Sequence, residues 1–152
     1  MAQIRLALAQ LNVTVGDIAG NADAILRWAQ HAADRGAHVV AFPEMALTGY
    51  PVEDLALRTS FVEASRAAME DLAAGLSAAG LGQLVVVCGY LDKAQGSTDQ
   101  IGRPKGSPHN AAAVLHDGKI VTRAIKHHLP NYGVFDEYRY FVPGESLQVV
   151  TV

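Results

Sequence analysis

A single cysteine, Cys88, stands in the 152 residues. No disulfide can form within the chain, and a reducing compartment is the expectation. No apolar run approaches the roughly 20 residues that a membrane-spanning helix needs. The opening "MAQIRLALAQLNVT" lacks the charged start, long apolar centre and small-residue cleavage site of a secretion signal, so a soluble cytoplasmic protein without a membrane partner is expected. An excess of positive charge is also missing. Twelve Lys and Arg stand against 15 Asp and Glu for a net charge of −3. The longest basic cluster, "KHH" at Lys126 to His128, is too small a footprint for DNA or RNA. There is no glycine-rich phosphate loop, since "GDIAGN" from Gly16 has neither the spacing nor the lysine. Repeats and low-complexity tracts are absent as well. What remains is ordinary globular composition, half of it apolar, in a length that suits one domain.

The apolar pattern predicts an α/β chain. Ile4 to Leu11 reads as a short buried strand. Asn21 is placed as the N-cap of a helix whose apolar face carries Ile25, Trp28, Ala29 and Ala32, with Gly36 as its stop. Ala37 to Phe42 reads as a second buried strand, ended by Pro43. Strand, helix and strand within some forty residues favour a parallel crossover, with functional loops beyond the carboxyl ends of the strands. Ser60 and Glu63 form a capping-box pattern for a second helix running to about Ala79, with Val62, Met69, Leu72 and Leu76 inward. Gln83 to Leu91 is a third strand. Asp92 to Pro108 is a solvated loop. "NAAAVLHDGKIVTRAIKHH" reads as a hairpin turning at Asp117-Gly118 in a type I′ turn. "LQVVTV" is a last strand. The chain stops inside that apolar run, an unguarded edge, so an incomplete domain is expected.

The polar residues divide by context. Glu44 lies two residues past a strand end, and Lys126 lies at the end of the hairpin. Either alone is ordinary, a turn carboxylate or a surface lysine. Together, each followed by an aromatic loop with Gly and Pro, they are placed to line one pocket. Cys88 sits among β-branched neighbours with no base nearby in sequence, which predicts a buried, inert thiol. His127 and His128 are adjacent, so on an extended backbone they point to opposite sides, a poor arrangement for sharing a metal. His31 falls near the apolar face of the first helix. No metal or nucleotide site is expected within the chain.

Three stretches carry a family resemblance. "IRLALAQLNVTVGDIAGN", "FPEMALTGYPVEDLALRTSF" and "KHHLPNYGVFDEYRYFVPG" resemble the nitrilase, or carbon–nitrogen hydrolase, superfamily. The last two are similar to its branch of glutaminase domains that begin glutamine-dependent NAD synthetases. The resemblance spans the whole chain. It implies a partial αββα sandwich, with residues 1 to 152 as the N-terminal part of a glutamine amidohydrolase domain incomplete at its C-terminus. It also implies a Glu–Lys–Cys triad in which Glu44 is general base and Lys126 oxyanion stabiliser. Glu137 resembles a further family carboxylate near the lysine, and Tyr50 and Tyr132 resemble residues that shape the glutamine pocket. No "CED"-like elbow occurs in the chain and Cys88 does not match one, so the nucleophile is expected beyond residue 152.

The same resemblance implies a ligase in its full form. Ammonia freed from glutamine would pass to a C-terminal synthetase domain using ATP and Mg2+, which would amidate deamido-NAD, in a homo-oligomer. The 152 residues alone are expected to be inactive. A stand-alone amidase of the same fold, and a non-catalytic module that kept it, are the alternatives.

Overall fold

The computed structural model describes residues 3–94 and 107–152. Five strands form one mixed sheet in sequential order. Strands β1 (Leu6–Leu8), β2 (Val39–Ala41) and β3 (Val85–Asp92) are parallel, and β4 (His109–His116) and β5 (Lys119–Ile125) follow antiparallel. Helices α1 (Ile18–Asp34) and α2 (Thr59–Ala78) make the two parallel crossovers. Both pack on one face of the sheet, where Ile25, Ala29, Met69 and Leu72 meet Val40, Val86 and Leu115. Each fully buried side chain of the larger apolar type contributes about 1.5–3 kcal/mol, so this layer holds the fold together. Among the described residues no helix is long and apolar enough to cross a membrane. Most of the loop expected between Asp92 and Pro108 lies outside the described residues.

Local details correct several expectations. Helix α1 starts earlier than Asn21, because Asp17 is its cap and accepts from the backbone N–H of Gly20. Asn21 is buried inside the first turn, where its side chain bonds Thr14 at both backbone groups and the Leu47 carbonyl. Trp28 is not on the buried face. It is 48% exposed and rests on the His31 ring. Ser60 does not cap α2. That helix grows out of a 3-10 turn, Glu53–Leu57, with Arg58 at the junction and no side-chain cap. Glu63 pairs with Arg66 and Lys93 instead of closing a capping box.

The type I′ turn is present, with φ of 48° at Asp117 and 74° at Gly118. Strand β1 is shorter than the apolar run around it and is not buried. It is an edge strand, and Leu6 and Leu8 point away from the helices at 55% and 68% exposure. The face opposite the helices is open at this edge, whereas along β3 a second buried cluster, with Met45, Leu91 and Phe141, covers part of it. "LQVVTV" forms no strand, and Leu147 and Val149 are almost fully exposed.

Candidate active site

Pro43 ends β2 by removing a backbone donor, and the chain turns sharply across β3. Met45 adopts a φ of 50°, unusual for a residue with a side chain. Thr48 and Gly49 close the turn onto its carbonyl. The turn lies directly on β3 because residue 89 is glycine. A Cβ there would stand 2.3 Å from the Met45 nitrogen and 2.7 Å from the Pro43 oxygen. The Leu47 N–H reaches the Gly89 carbonyl in the space so gained.

This turn delivers Glu44 to the open face. Lys126 arrives from the end of β5, where its backbone N–H donates to the Asn110 carbonyl at 2.9 Å. Its ammonium lies 2.8 Å from Glu44 Oε1. It also lies 3.0 and 2.9 Å from the two oxygens of Glu137, which opens the four-residue helix α3 (Glu137–Tyr140). The Tyr50 hydroxyl donates to Glu137 Oε1 at 2.8 Å. Asn110 donates from Nδ2 to Glu44 Oε1 at 2.5 Å.

Burial differs sharply within this cluster. Glu137 is 3% exposed, whereas the Glu44 side chain is 47% exposed and that of Lys126 29%. One ammonium thus serves two carboxylates, the inner one nearly dry and the outer one open to a cleft. Burial alone would lower the Lys126 pKa. Hydrogen bonds and attraction from Glu44 and Glu137 outweigh it and hold the ammonium above the usual lysine value. Burial and the adjoining Glu137 carboxylate push the Tyr50 phenol well above its ordinary range, so it stays a neutral donor.

The cleft holds about 290 Å³ beside Phe42, Pro43, Glu44 and Lys126. Its floor is a row of minimal side chains in register across three strands: Gly89 opposite Ala112, and Ala112 opposite Ala124. A small amide fits such a trough, with a carboxylate and an ammonium on one wall.

The expected residues do not all converge. Glu44, Lys126, Glu137 and Tyr50 form one connected network. Tyr50 is half-buried, bound to Glu137, and lies outside the lining of the cleft. Tyr132 is 71% exposed and packs on Phe135, outside the lining of the cleft. Cys88 is fully buried on the helix side of β3, where burial pushes its thiol up to about 12. His127 and His128 do not point apart. Their rings meet edge to face at 4.6 Å, because the ladder ends at Ile125 and strand alternation ends with it. Among the described residues no group of three or more His, Cys, Asp or Glu is arranged to hold a metal ion. The sequence reading passes over Asn110. The available signal was an amide opening the otherwise apolar run "NAAAVL", where a buried polar group must find a partner.

Residues 5–152 match the carbon–nitrogen hydrolase family. The glutamine-dependent NAD(+) synthetase of Thermotoga maritima is 41% identical over 152 residues, all of this chain and 24% of that protein. The same enzyme of Rhodobacter capsulatus is 42% identical over 145 residues, 93% of this chain and 23% of that protein. The chain thus spans about a quarter of the length of these relatives. Among solved structures, the glutamine-dependent NAD+ synthetase of Acinetobacter baumannii, in complex with ADP, superposes with a TM-score of 0.81 at 34% identity, covering all of this chain and 26% of that one. An amidase from Nesterenkonia sp. shares the fold with a TM-score of 0.69 at 24% identity, covering 94% of this chain and 49% of that one.

Proposed function

The chain belongs to the carbon–nitrogen hydrolase family, and from that premise we propose that it forms the amide-binding and proton-transfer half of a glutaminase site in a glutamine-dependent NAD synthetase. The observation that carries this reading is the Glu44–Lys126 pair, 2.8 Å apart beside a small-floored cleft. Likeness to the synthetases over the whole chain supports glutamine as the substrate.

The thiol nucleophile comes from sequence beyond residue 152. As its sulfur attacks the carboxamide carbon of glutamine, Glu44 takes the S–H proton, which a thiol of ordinary pKa would otherwise keep at neutral pH. The carbonyl π electrons move onto oxygen, and the Lys126 ammonium, held charged by its two carboxylates, stabilises that oxyanion. The C–N bond then breaks, the proton on Glu44 passes to nitrogen, and ammonia leaves a thioester. Water attacks the thioester and gives Glu44 a proton, which returns to sulfur as glutamate departs. A synthetase domain using ATP and Mg2+ would consume the ammonia in amidating deamido-NAD.

Coupled glutamate release tests the reading. The 152-residue chain should release none. Extension through the following nucleophile should give activity, which Glu44→Gln and Lys126→Ala should each remove. Activity in the 152-residue chain that vanishes with Cys88→Ser would make the buried thiol the nucleophile and overturn the assignment.

A further inference from the structure

Asn110 touches both members of the pair. Its backbone carbonyl accepts from the Lys126 N–H, and its side-chain amide donates to Glu44 Oε1. The side chain is 4% exposed, at the start of β4 opposite Leu91. An ionised carboxylate only accepts, so the amide must present Nδ2 to it. The Lys126 ammonium donates to the same oxygen. Oε1 of Glu44 therefore carries two donors. Among the described residues nothing hydrogen-bonds Oε2, although the side chain is nearly half exposed to the cleft.

We propose that Asn110 is the positioning residue of the site, anchoring Oε1 of Glu44 so that Oε2 is the oxygen that exchanges protons with the nucleophile and the leaving nitrogen. Two donors occupy Oε1, while Oε2 keeps its lone pairs open to the cleft, so the proton is taken by the unloaded oxygen. The anchor also fixes the rotamer. A glutamate on a short turn has three side-chain torsions, and Lys126, bound equally to Glu137, does not by itself decide where the head of Glu44 rests. Because the same asparagine holds the Lys126 backbone, it sets the spacing between base and oxyanion stabiliser. This inference rests on the glutaminase reading for its catalytic consequence, but the anchor itself is a property of the chain.

Two measurements test it. In the 15N spectrum of the 152-residue chain, one Asn110 side-chain amide proton should lie downfield and exchange slowly. Glu44→Gln should return it towards the position of an ordinary asparagine. In the form that hydrolyses glutamine, Asn110→Leu keeps the branched shape and the number of heavy atoms and removes the donor. It should lower kcat by roughly 10²-fold with KM within about twofold. An Asn110 amide that ignores Glu44→Gln, or a leucine variant with kcat unchanged, overturns the proposal. So does loss of kcat and KM together with lost thermal stability, because that would make Asn110 a packing residue. If the parent enzyme releases no glutamate, the glutaminase reading falls, and the amide spectrum alone decides the anchor.

Discussion

Cys88 and Gly89 are neighbours in sequence and belong to opposite worlds. Cys88 faces the helices with Val86 and Tyr90, in a dry layer where its thiol is pushed up to about 12. Gly89 faces the other way, under the turn that carries Glu44, in line with Ala112 and Ala124. Period-two alternation along one strand thus separates a structural face from a chemical one. The same alternation puts Ala111 and Ala113 in the core and Ala112 on the floor of the cleft. The Cys88 thiol is inert because its phase turns it into the dry layer under the helices, away from the cleft.

The sharpest way to break this contrast is to give residue 89 a side chain. A Cβ at 2.3 Å from the Met45 nitrogen has only backbone to push against. Gly89→Ala should cost about 3 kcal/mol or more, at the upper end for overpacking. It should also displace Glu44, which chemical denaturation and glutamate release would show together. The equivalent change on the helix face, Ala113→Gly, creates only a small void and should cost about 1 kcal/mol. Equal costs would mean that the turn does not rest on β3.

The next test concerns the charges. Lys126→Ala leaves Glu137 buried without its cation. The expected loss is about 2 kcal/mol, below the ~3–5 kcal/mol of a fully buried pair because the lysine reaches solvent. Adding Glu137→Gln should recover most of it. The lysine thus has a structural role beside its chemical one, which its place at a strand end did not disclose. Its pKa is raised on folding, so its contribution is fully present below 10.5 and fades as pH rises through the folded value. Urea melts of the single and double variants at neutral pH would measure the recovery.

Legibility in the sequence followed the same division. The helix face was readable because Ile25, Ala29, Met69 and Leu72 repeat at helical spacing and need nothing but burial. Glu44 and Lys126 were readable from their positions at strand ends and from the motifs around them. Asn110 was not, since its role depends on a contact 66 residues away. The family resemblance places Tyr132 at the glutamine pocket, yet its ring turns to Phe135, outside the lining of the cleft. Strand β1 looked buried because Leu6 and Leu8 are apolar, and apolar composition does not say whether anything covers a face. Caps failed for a similar reason: Asp17 and Asn21 both suit an N-cap, and only the tertiary bonds of Asn21 to Thr14 and Leu47 decide between them.

The smallest effect is the most specific to the dry face. At neutral pH Cys88→Ala removes one buried sulfur and should cost about 1 kcal/mol. Its signature lies at higher pH. In the unfolded chain the thiol ionises near its ordinary 9.0, whereas in the fold it holds its proton to about 12. Between those values the unfolded state binds fewer protons than the folded one, so stability falls as pH rises. Alanine has no proton to lose, and this part of the fall should vanish. Tyr90, raised by burial from an ordinary value of 10.0, continues to weaken the variant, but from a higher pH. The stability difference between parent and Cys88→Ala should therefore shrink and then reverse as pH climbs from 9 towards 12. Denaturation midpoints across that range measure it. A constant difference would place the thiol in contact with water, on the same footing as the cleft one residue away.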